Sequence, residues 1–229
     1  MRGLRALLLA LLAGGCATTN GDPRDPLEGL NRGVYRFNDA LDSAIMRPVA
    51  SAYRDWVHDE IRGRVRNFFS NLADPMISLH NLLQGKFEDS LTDAVRFVFN
   101  STFGLLGLHD IASDMGYEKH NEDFGQTFGR WGAGSGVYLV LPLLGSSSVR
   151  DGLGTVLDFA ADPVAQVDPT GARAGVTAVR FTQVRADLLD ASRILEEAAL
   201  DKYVFQRDAY FQRRRSLVYD GRPPREDVR

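Results

Sequence analysis

The sequence predicts a mostly α-helical single domain of many short amphipathic helices, with at most one small β-hairpin. Three observations lead there. Apolar residues recur at spacings of three and four along most of the chain. Five of the nine prolines, at 23, 26, 75, 163 and 169, directly follow an aspartate and punctuate that pattern. The chain has 229 residues, 44% of them apolar and 25% charged, enough for one large domain and too apolar for general disorder.

Aspartate caps the free N–H groups of a helix start, and proline fits the first turn without losing a bond. Asp25-Pro26-Leu27-Glu28 reads as a capping box with Asp25 as cap, Pro26 at the first position and Glu28 at the third. The helix it opens carries Leu27, Leu30, Val34, Phe37, Leu41 and Ile45 on one face, and Pro48 ends or kinks it. A second short helix holds Val49, Tyr53, Trp56 and Val57. A third holds Ile61, Val65, Phe68, Phe69 and Leu72, and stops at Asp74-Pro75. A fourth runs from Pro75 to about Gln84, with Gly85 as its C-cap. A fifth carries Phe87, Leu91, Val95, Val98 and Phe99.

From Gly104 to Gly145 the helical pattern breaks. Glycines recur at 125, 129, 132, 134, 136 and 145, and Val137–Leu141 reads as extended, closed by Pro142. Helical spacing returns at Val149, Leu153, Val156, Leu157 and Ala160. It continues in a longer helix over roughly 172–190, a short one around Ile194, Leu195 and Ala198, and a last one through Val204, Phe211, Arg214 and Val218. Residues 220–229, with two prolines and mixed charge, read as a disordered tail.

The N-terminus reads as an address. Arg2 and Arg5 precede an apolar run at Ala6–Ala13, then small residues and Cys16. This is a secretory signal layout, far shorter than the roughly 20 residues a bilayer span needs. Ala13-Gly14-Gly15-Cys16 resembles a bacterial lipobox, with Ala13 where an aliphatic residue is usual. The chain's one cysteine stands where that box needs it. Residues 1–15 are then the signal peptide, Cys16 the acylated lipid anchor, and 16–24 a polar tether to a body at 25–219. Ala17, not aspartate, follows the anchor, which by enterobacterial sorting rules directs the protein to the outer membrane. Cleavage removes two arginines and takes the net charge from −3 to −5, so acyl chains and not a basic patch would dock it. The same acidic balance argues against nucleic acid as a partner.

Catalytic and metal constellations are weak. Ala133-Gly134-Ser135-Gly136-Val137 lacks the two glycines of a G-x-S-x-G elbow, so Ser135 makes a poor nucleophile. His58, His80, His109 and His120 include no i, i+4 pair for zinc and read as partly exposed or capping residues. Gly132, Gly134 and Gly136 form G-x-G-x-G, not a nucleotide fingerprint. They suit either a tight loop or a hinge beside a lipid path. Arg62, Arg64 and Arg66 fan over a wide arc of a helix, and Arg213–Arg215 sit where cations favour a helix C-terminus. Tyr35, Phe37, Tyr53 and Trp56 suit either a packed core or helices lying in a lipid interface.

Several ordered blocks together resemble the MlaA (VacJ-like) family of outer-membrane lipoproteins. They are DPLEGLNR at 25–32 with Tyr35, Phe37 and Asn38; RPVA at 47–50; Asn71-Leu72 with Pro75; and LQG at 83–85. Arg96-Phe97, Asn100-Ser101 and Gly107-Leu108 follow, then FGQTFGRWGAG at 124–134, LPLLGS at 141–146, Arg150-Asp151, RADLLD at 185–190 and AYFQR at 209–213. The resemblance implies a ring of helices in the periplasmic side of the outer membrane of a Gram-negative bacterium. It implies a non-enzymatic conduit that takes misplaced phospholipid from the outer leaflet and hands it to a periplasmic carrier, maintaining lipid asymmetry. It implies association with a trimeric porin, no cofactor beyond the acyl lipid on Cys16, and phospholipid as cargo. It makes Gly132, Gly134, Gly136, Tyr138, Pro142 and Gly145 the candidate hinge or gate loop. Two alternatives stand beside it: a lipid-degrading enzyme using Ser135, and a structural adaptor docking on porins or the envelope without passing lipid.

Overall fold

The computed structural model describes residues 22–225, and helices dominate them. The signal peptide, Cys16 and most of the tether fall outside these residues, as do 226–229. Helix α1 (Glu28–Leu41) begins after a turn at Asp22–Leu27. The expected capping box does not form: Leu27 holds the cap position with no side-chain bond. Asp25 is buried instead, where Asn31 Nδ2 donates to it at 2.8 Å and Tyr203 Oη at 2.5 Å. A surface cap is worth about 1 kcal/mol, and charge-assisted bonds inside the body outweigh it.

One π-helical turn, Asp42–Met46, joins α1 to α2 (Arg47–Trp56). Pro48 therefore neither ends the helix nor stands in a regular interior; the wider π turn lies just before a residue that has no N–H to give. Helix α3 (Asp59–Leu83) runs through Pro75, so the two helices expected on either side of Asp74-Pro75 are one. Proline removes one ladder bond there, and buried side chains hold the turn. Asp74 pairs with Lys119, whose Nζ also donates to the Ser70 carbonyl at 2.9 Å, and Asn71 Nδ2 donates to Ser101 Oγ at 3.0 Å. Gln84 and Gly85, at φ +79°, close α3 as expected, and α4 (Phe87–Thr102) packs back along it.

Two short helices, α5 (Ile111–Asp114) and α6 (Phe124–Arg130), occupy the stretch without helical periodicity. Aspartates 110 and 123 cap them, accepting from the Ser113 and Gln126 amides. Strands β1 (Tyr138–Leu141) and β2 (Gly145–Ser148) form one antiparallel hairpin, Tyr138 opposite Ser148 and Leu141 opposite Gly145. Ser148 caps α7 (Val149–Ala161), and Asp162 caps a 3₁₀ turn at Pro163–Gln166. Helices α8 (Thr170–Asp187), α9 (Leu189–Ala198) and α10 (Lys202–Val218) complete the order.

Packing runs in a closed circuit: α1 on the hairpin, the hairpin on α7, α7 on α6, α6 on α3, α3 on α8, and α8 on α2, which continues from α1. Two small cores serve it. Ala50, Ala186 and Leu189 join α2, α8 and α9. Tyr138, Val140 and Tyr203 join the hairpin to α10, with Val34 and Tyr35 of α1 packed against them.

Both ends of the body extend past the expected boundaries. Residues 22–24 belong to it rather than to the tether: Asp22 pairs with Arg207, Arg24 pairs with Asp208, and the Arg24 carbonyl accepts from the Tyr138 amide. At the other end Asp220 pairs with Lys86, and the Pro224 carbonyl accepts from Arg215 Nη2.

The polarity of the body is inverted. Among the described residues, 16 buried side chains are polar or charged and 10 are hydrophobic, whereas Trp56 is 87% exposed, Leu106 70% and Phe87 69%. Water-soluble interiors show the opposite bias. Helix α4 is the clearest case. Asp93, Arg96 and Asn100 face inward at spacings of three and four, while Phe87, Leu91 and Val98 face out. The inward face is held by side-chain hydrogen bonds. Asn81 donates to Asp93 at 2.8 Å, Arg96 forks onto both Asp110 oxygens at 2.9 Å, and the Ala112 amide donates to Asn100 at 2.9 Å. The apolar helical stripes, which by sequence suit either a packed core or a lipid interface, are thus largely an outer surface. No helix among the described residues is long and apolar enough to cross a membrane.

Candidate functional site

A cavity of about 710 Å³ opens inside the circuit, walled by α3, α6, α7, α8 and α10. Its lining mixes apolar side chains, among them Phe69, Leu72, Met76, Phe159 and Leu217, with charged ones. Helix α10 contributes Tyr210, Arg213, Arg214 and Leu217, whose spacings of three and four set them on one face.

Most of the charge is matched. Arg214 Nη1 donates to Asp123 Oδ2 at 2.6 Å, and its Nε lies 2.8 Å from Asp151 Oδ2. Burial alone would lower the Arg214 pKa, but Asp123 and Asp151 more than offset this and hold it above the usual arginine range. Burial pushes Asp151 up, while the bond from Arg150 Nε (2.7 Å), the Arg214 charge and the Tyr210 hydroxyl bring it below the ordinary carboxylate value. Burial and the Asp151 contact together raise the Tyr210 hydroxyl. Arg180 pairs with Asp162, and Glu122 with Lys86 at 2.9 Å. His80 is buried, not exposed or capping as its sequence context suggests. Its Nδ1 lies 3.1 Å from Thr127 Oγ1 and its Nε2 3.3 Å from Asp158 Oδ1, with its ring edge-on to Phe124. His58 and His109 are exposed, and His120 is half-buried against Asp93.

Glycine makes the crossing of α6 and α7 possible. A Cβ on Gly154 would stand 2.5 Å from the Gly125 amide nitrogen, and one on Gly125 would strike Arg214 and Asp151. The helix backbones touch, which brings Asp123 and Asp151 to the same guanidinium.

Helix α7 also borders a second, mostly apolar groove of about 290 Å³, lined by Leu139, Leu141, Val149, Leu153 and Val156. Thr155 and Phe159 line both spaces. Helix α7 thus stands between an amphipathic chamber and an apolar groove under the hairpin.

The candidate hinge residues lie along α6, the hairpin and the segment between them. Gly132, at φ +96°, closes α6 beside Trp131, whose Nε1 donates to the Leu83 carbonyl at 2.9 Å. Gly134 has neither a positive φ nor any atom within 4 Å of a Cβ position. Gly136 has both constraints, with φ +70° and Val149 Cβ at 3.2 Å. Tyr138 is buried in the hairpin core, its hydroxyl 2.8 Å from Ser146 Oγ. Pro142 is exposed in the hairpin turn, which Gly145 leaves at φ +80°. Two asparagines of α1, seven residues apart, grip this hairpin. Asn31 donates to the Tyr138 carbonyl (3.0 Å) and accepts from the Val140 amide (2.9 Å). Asn38 donates to the Leu141 carbonyl (2.9 Å) and accepts from the Leu143 amide (2.9 Å). Among the described residues Ser135 makes no hydrogen bond to a histidine or carboxylate; its carbonyl accepts from the Arg150 amide.

Sequence reasoning missed Asp123, Asp151, Asp158, Asp162 and Arg180, and assigned Arg213–Arg215 to a helix C-terminus. Aspartates at helix starts were the available signal for Asp123, Asp151 and Asp162, but they did not reveal which arginine they serve.

The MlaA lipoprotein family matches residues 23–217. The chain is 36% identical over 228 residues to the Escherichia coli protein named intermembrane phospholipid transport system lipoprotein MlaA, covering 95% of this chain and 90% of that one. It is 30% identical to the Haemophilus influenzae protein of the same name, over 96% and 91% of the two chains. An uncharacterized protein of Rickettsia typhi is 33% identical over 85% of this chain and 78% of its own. A solved structure described as "Structural basis for maintenance of bacterial outer membrane lipid asymmetry" superposes with a TM-score of 0.74 at 35% identity, over 85% of this chain and 98% of that chain. With a family match across nearly all of the described body, this chain belongs to the MlaA lipoprotein family.

Proposed function

We propose that this protein is a non-enzymatic conduit in the outer membrane. It takes mislocalised phospholipid from the outer leaflet and hands it to a periplasmic carrier, beside a trimeric porin. The observation that carries the reading is the inverted polarity combined with the chamber. An outer surface rich in Trp, Phe and Leu suits hydrocarbon. An interior lined by matched charges can pass a headgroup that hydrocarbon rejects. Backbone groups at membrane depth are satisfied because helices and the hairpin pair internally. The names of the relatives and of the superposing structure support phospholipid as cargo and the outer membrane as place. Acylation at Cys16 would tether the ring to the periplasmic face.

The test is labelling of outer-leaflet phospholipid in a strain lacking the gene, complemented with wild-type protein, Cys16→Ser or Thr155→Trp. Thr155 lines the chamber, so tryptophan there is expected to obstruct it. Accumulated phospholipid that wild type clears and Thr155→Trp does not is the expected result. Clearance by a folded Thr155→Trp protein would refute passage through the chamber and favour the adaptor reading.

A further inference from the structure

We propose that Arg213 is the phosphate-recognising residue of the chamber and binds the phosphodiester common to glycerophospholipids. The inference rests on the conduit reading and names what the passage selects. Among the described residues lining the chamber, the carboxylates Glu122, Asp123, Asp158 and Asp162 each face a cationic or histidine partner. Arg180 and Arg214 are committed to Asp162 and to Asp123 and Asp151. Arg213 alone of the lining arginines makes no ion pair or hydrogen bond. It stands on the α10 face that also carries Leu217, so a ligand held there has chain-compatible surface one turn away.

Arg213 is thus the one lining guanidinium whose donors no carboxylate takes up. Guanidinium offers a planar fork that takes two oxygens of a phosphodiester at once. It is weakly hydrated, so it gives up water at a lipid interface more easily than an ammonium does. Gln126 Oε1, buried in the lining contributed by α6 and without a partner, is an acceptor for the hydroxyl or ammonium donors that headgroups carry. Because the phosphate is common to ethanolamine and glycerol headgroups, Arg213 predicts transport indifferent to which of these two is attached. It also predicts rejection of lipids with chains and no phosphate.

The test uses the full acylated chain in detergent, equilibrated with mixed micelles of phosphatidylethanolamine, phosphatidylglycerol and diacylglycerol of the same chains, with bound lipid read by native mass spectrometry. Wild type is expected to retain both phospholipids at least about tenfold over diacylglycerol, the scale of one charge-assisted contact. Arg213→Gln is expected to lose that preference, Arg213→Lys to keep part of it, and Arg130→Gln, exposed outside the chamber, to match wild type. Circular dichroism checks the fold of each variant. Preference unchanged in Arg213→Gln, or equal retention of diacylglycerol by wild type, overturns the proposal while leaving the conduit standing. Millimolar inorganic phosphate is expected to leave the lipid bound; displacement by it would reassign the site to a free anion. Absence of any bound lipid in wild type would instead sink the conduit reading itself.

Discussion

Truncating Asn31 to alanine probes how α1 fixes the hairpin that borders the apolar groove. Asn31 is 1% exposed and makes three bonds: to Asp25 Oδ1, to the Tyr138 carbonyl and from the Val140 amide. Its removal strands a buried amide, a buried carbonyl and one oxygen of a buried carboxylate. A stranded donor costs about 1–3 kcal/mol, and the two acceptors add roughly 1 kcal/mol together, since both keep lone pairs that relaxation or water can serve. The expected loss is therefore about 3 kcal/mol, a large fraction of the 5–15 kcal/mol typical of a domain. For a chain of this size that is roughly 6–12 °C in melting temperature. Asn38→Ala is the internal control. It too breaks two backbone bonds to the hairpin, but its side chain is only half-buried, water replaces it, and the loss should be about 1 kcal/mol. Asn31→Asp should be at least as harmful as alanine, because it sets a second carboxylate against Asp25 and removes the donor. Thermal melts in detergent by circular dichroism, with hydrogen exchange at the Val140 amide, measure all three. Equal losses for Asn31→Ala and Asn38→Ala, or an Asn31→Ala melt within 2 °C of wild type, would refute the argument from burial.

Three further outcomes follow from the geometry. Gly154→Ala should fail to fold or lose more than about 2 kcal/mol, because its Cβ meets backbone of α6 at 2.5 Å; a wild-type melt would show that the helices do not touch. Gly136→Val should destabilise by about 1–2 kcal/mol, whereas Gly134→Val, with open space around it, should leave the melt unchanged. If Gly134→Val still lowers phospholipid clearance, the segment moves during transport. The third concerns Asp110. Burial would raise its pKa, but bonds from Ser113, Asn100 and Arg96 bring it down to about 2. Its stabilisation is therefore fully present above the ordinary value near 3.8 and is lost as pH falls through 2. After discounting for partial exposure it is worth about 1 kcal/mol, and Asp110→Asn should flatten that part of the stability profile.

What the sequence made legible depended on which physical signal each feature needs. Periodicity of three and four located most helices, because it is a property of the helix itself. It merged nothing across Pro75, since a lone proline reads as a boundary. The bonds that carry α3 through it come from Lys119, 45 residues beyond Asp74. The short helices α5 and α6 lacked enough turns to show a period, yet both carried an aspartate cap that could have announced them. The hairpin was visible at Val137–Leu141; its attachment to Asn31 and Asn38 was not, because polar residues on a helix look solvent-facing until something packs on them. The chamber was the least legible feature. Its lining comes from five helices, and pairing alone separates Arg213 from Arg214, which chain position cannot do.

The deeper reason is a sign ambiguity. A helical period fixes the direction of the apolar face relative to the helix, never relative to the rest of the protein. Phe87, Leu91 and Val98 are equally consistent with a core and with a lipid-facing rim. What breaks the tie is the opposite face: Asp93, Arg96 and Asn100 share the same spacing and together need more partners than solvent exposure would require. A helix whose polar face is made of asparagine, aspartate and arginine, rather than lysine and glutamate, offers short, geometrically demanding groups suited to burial against one another. Read that way, the composition of the polar face of α4 points inward from sequence alone. The exposed aromatic face must then meet something other than water.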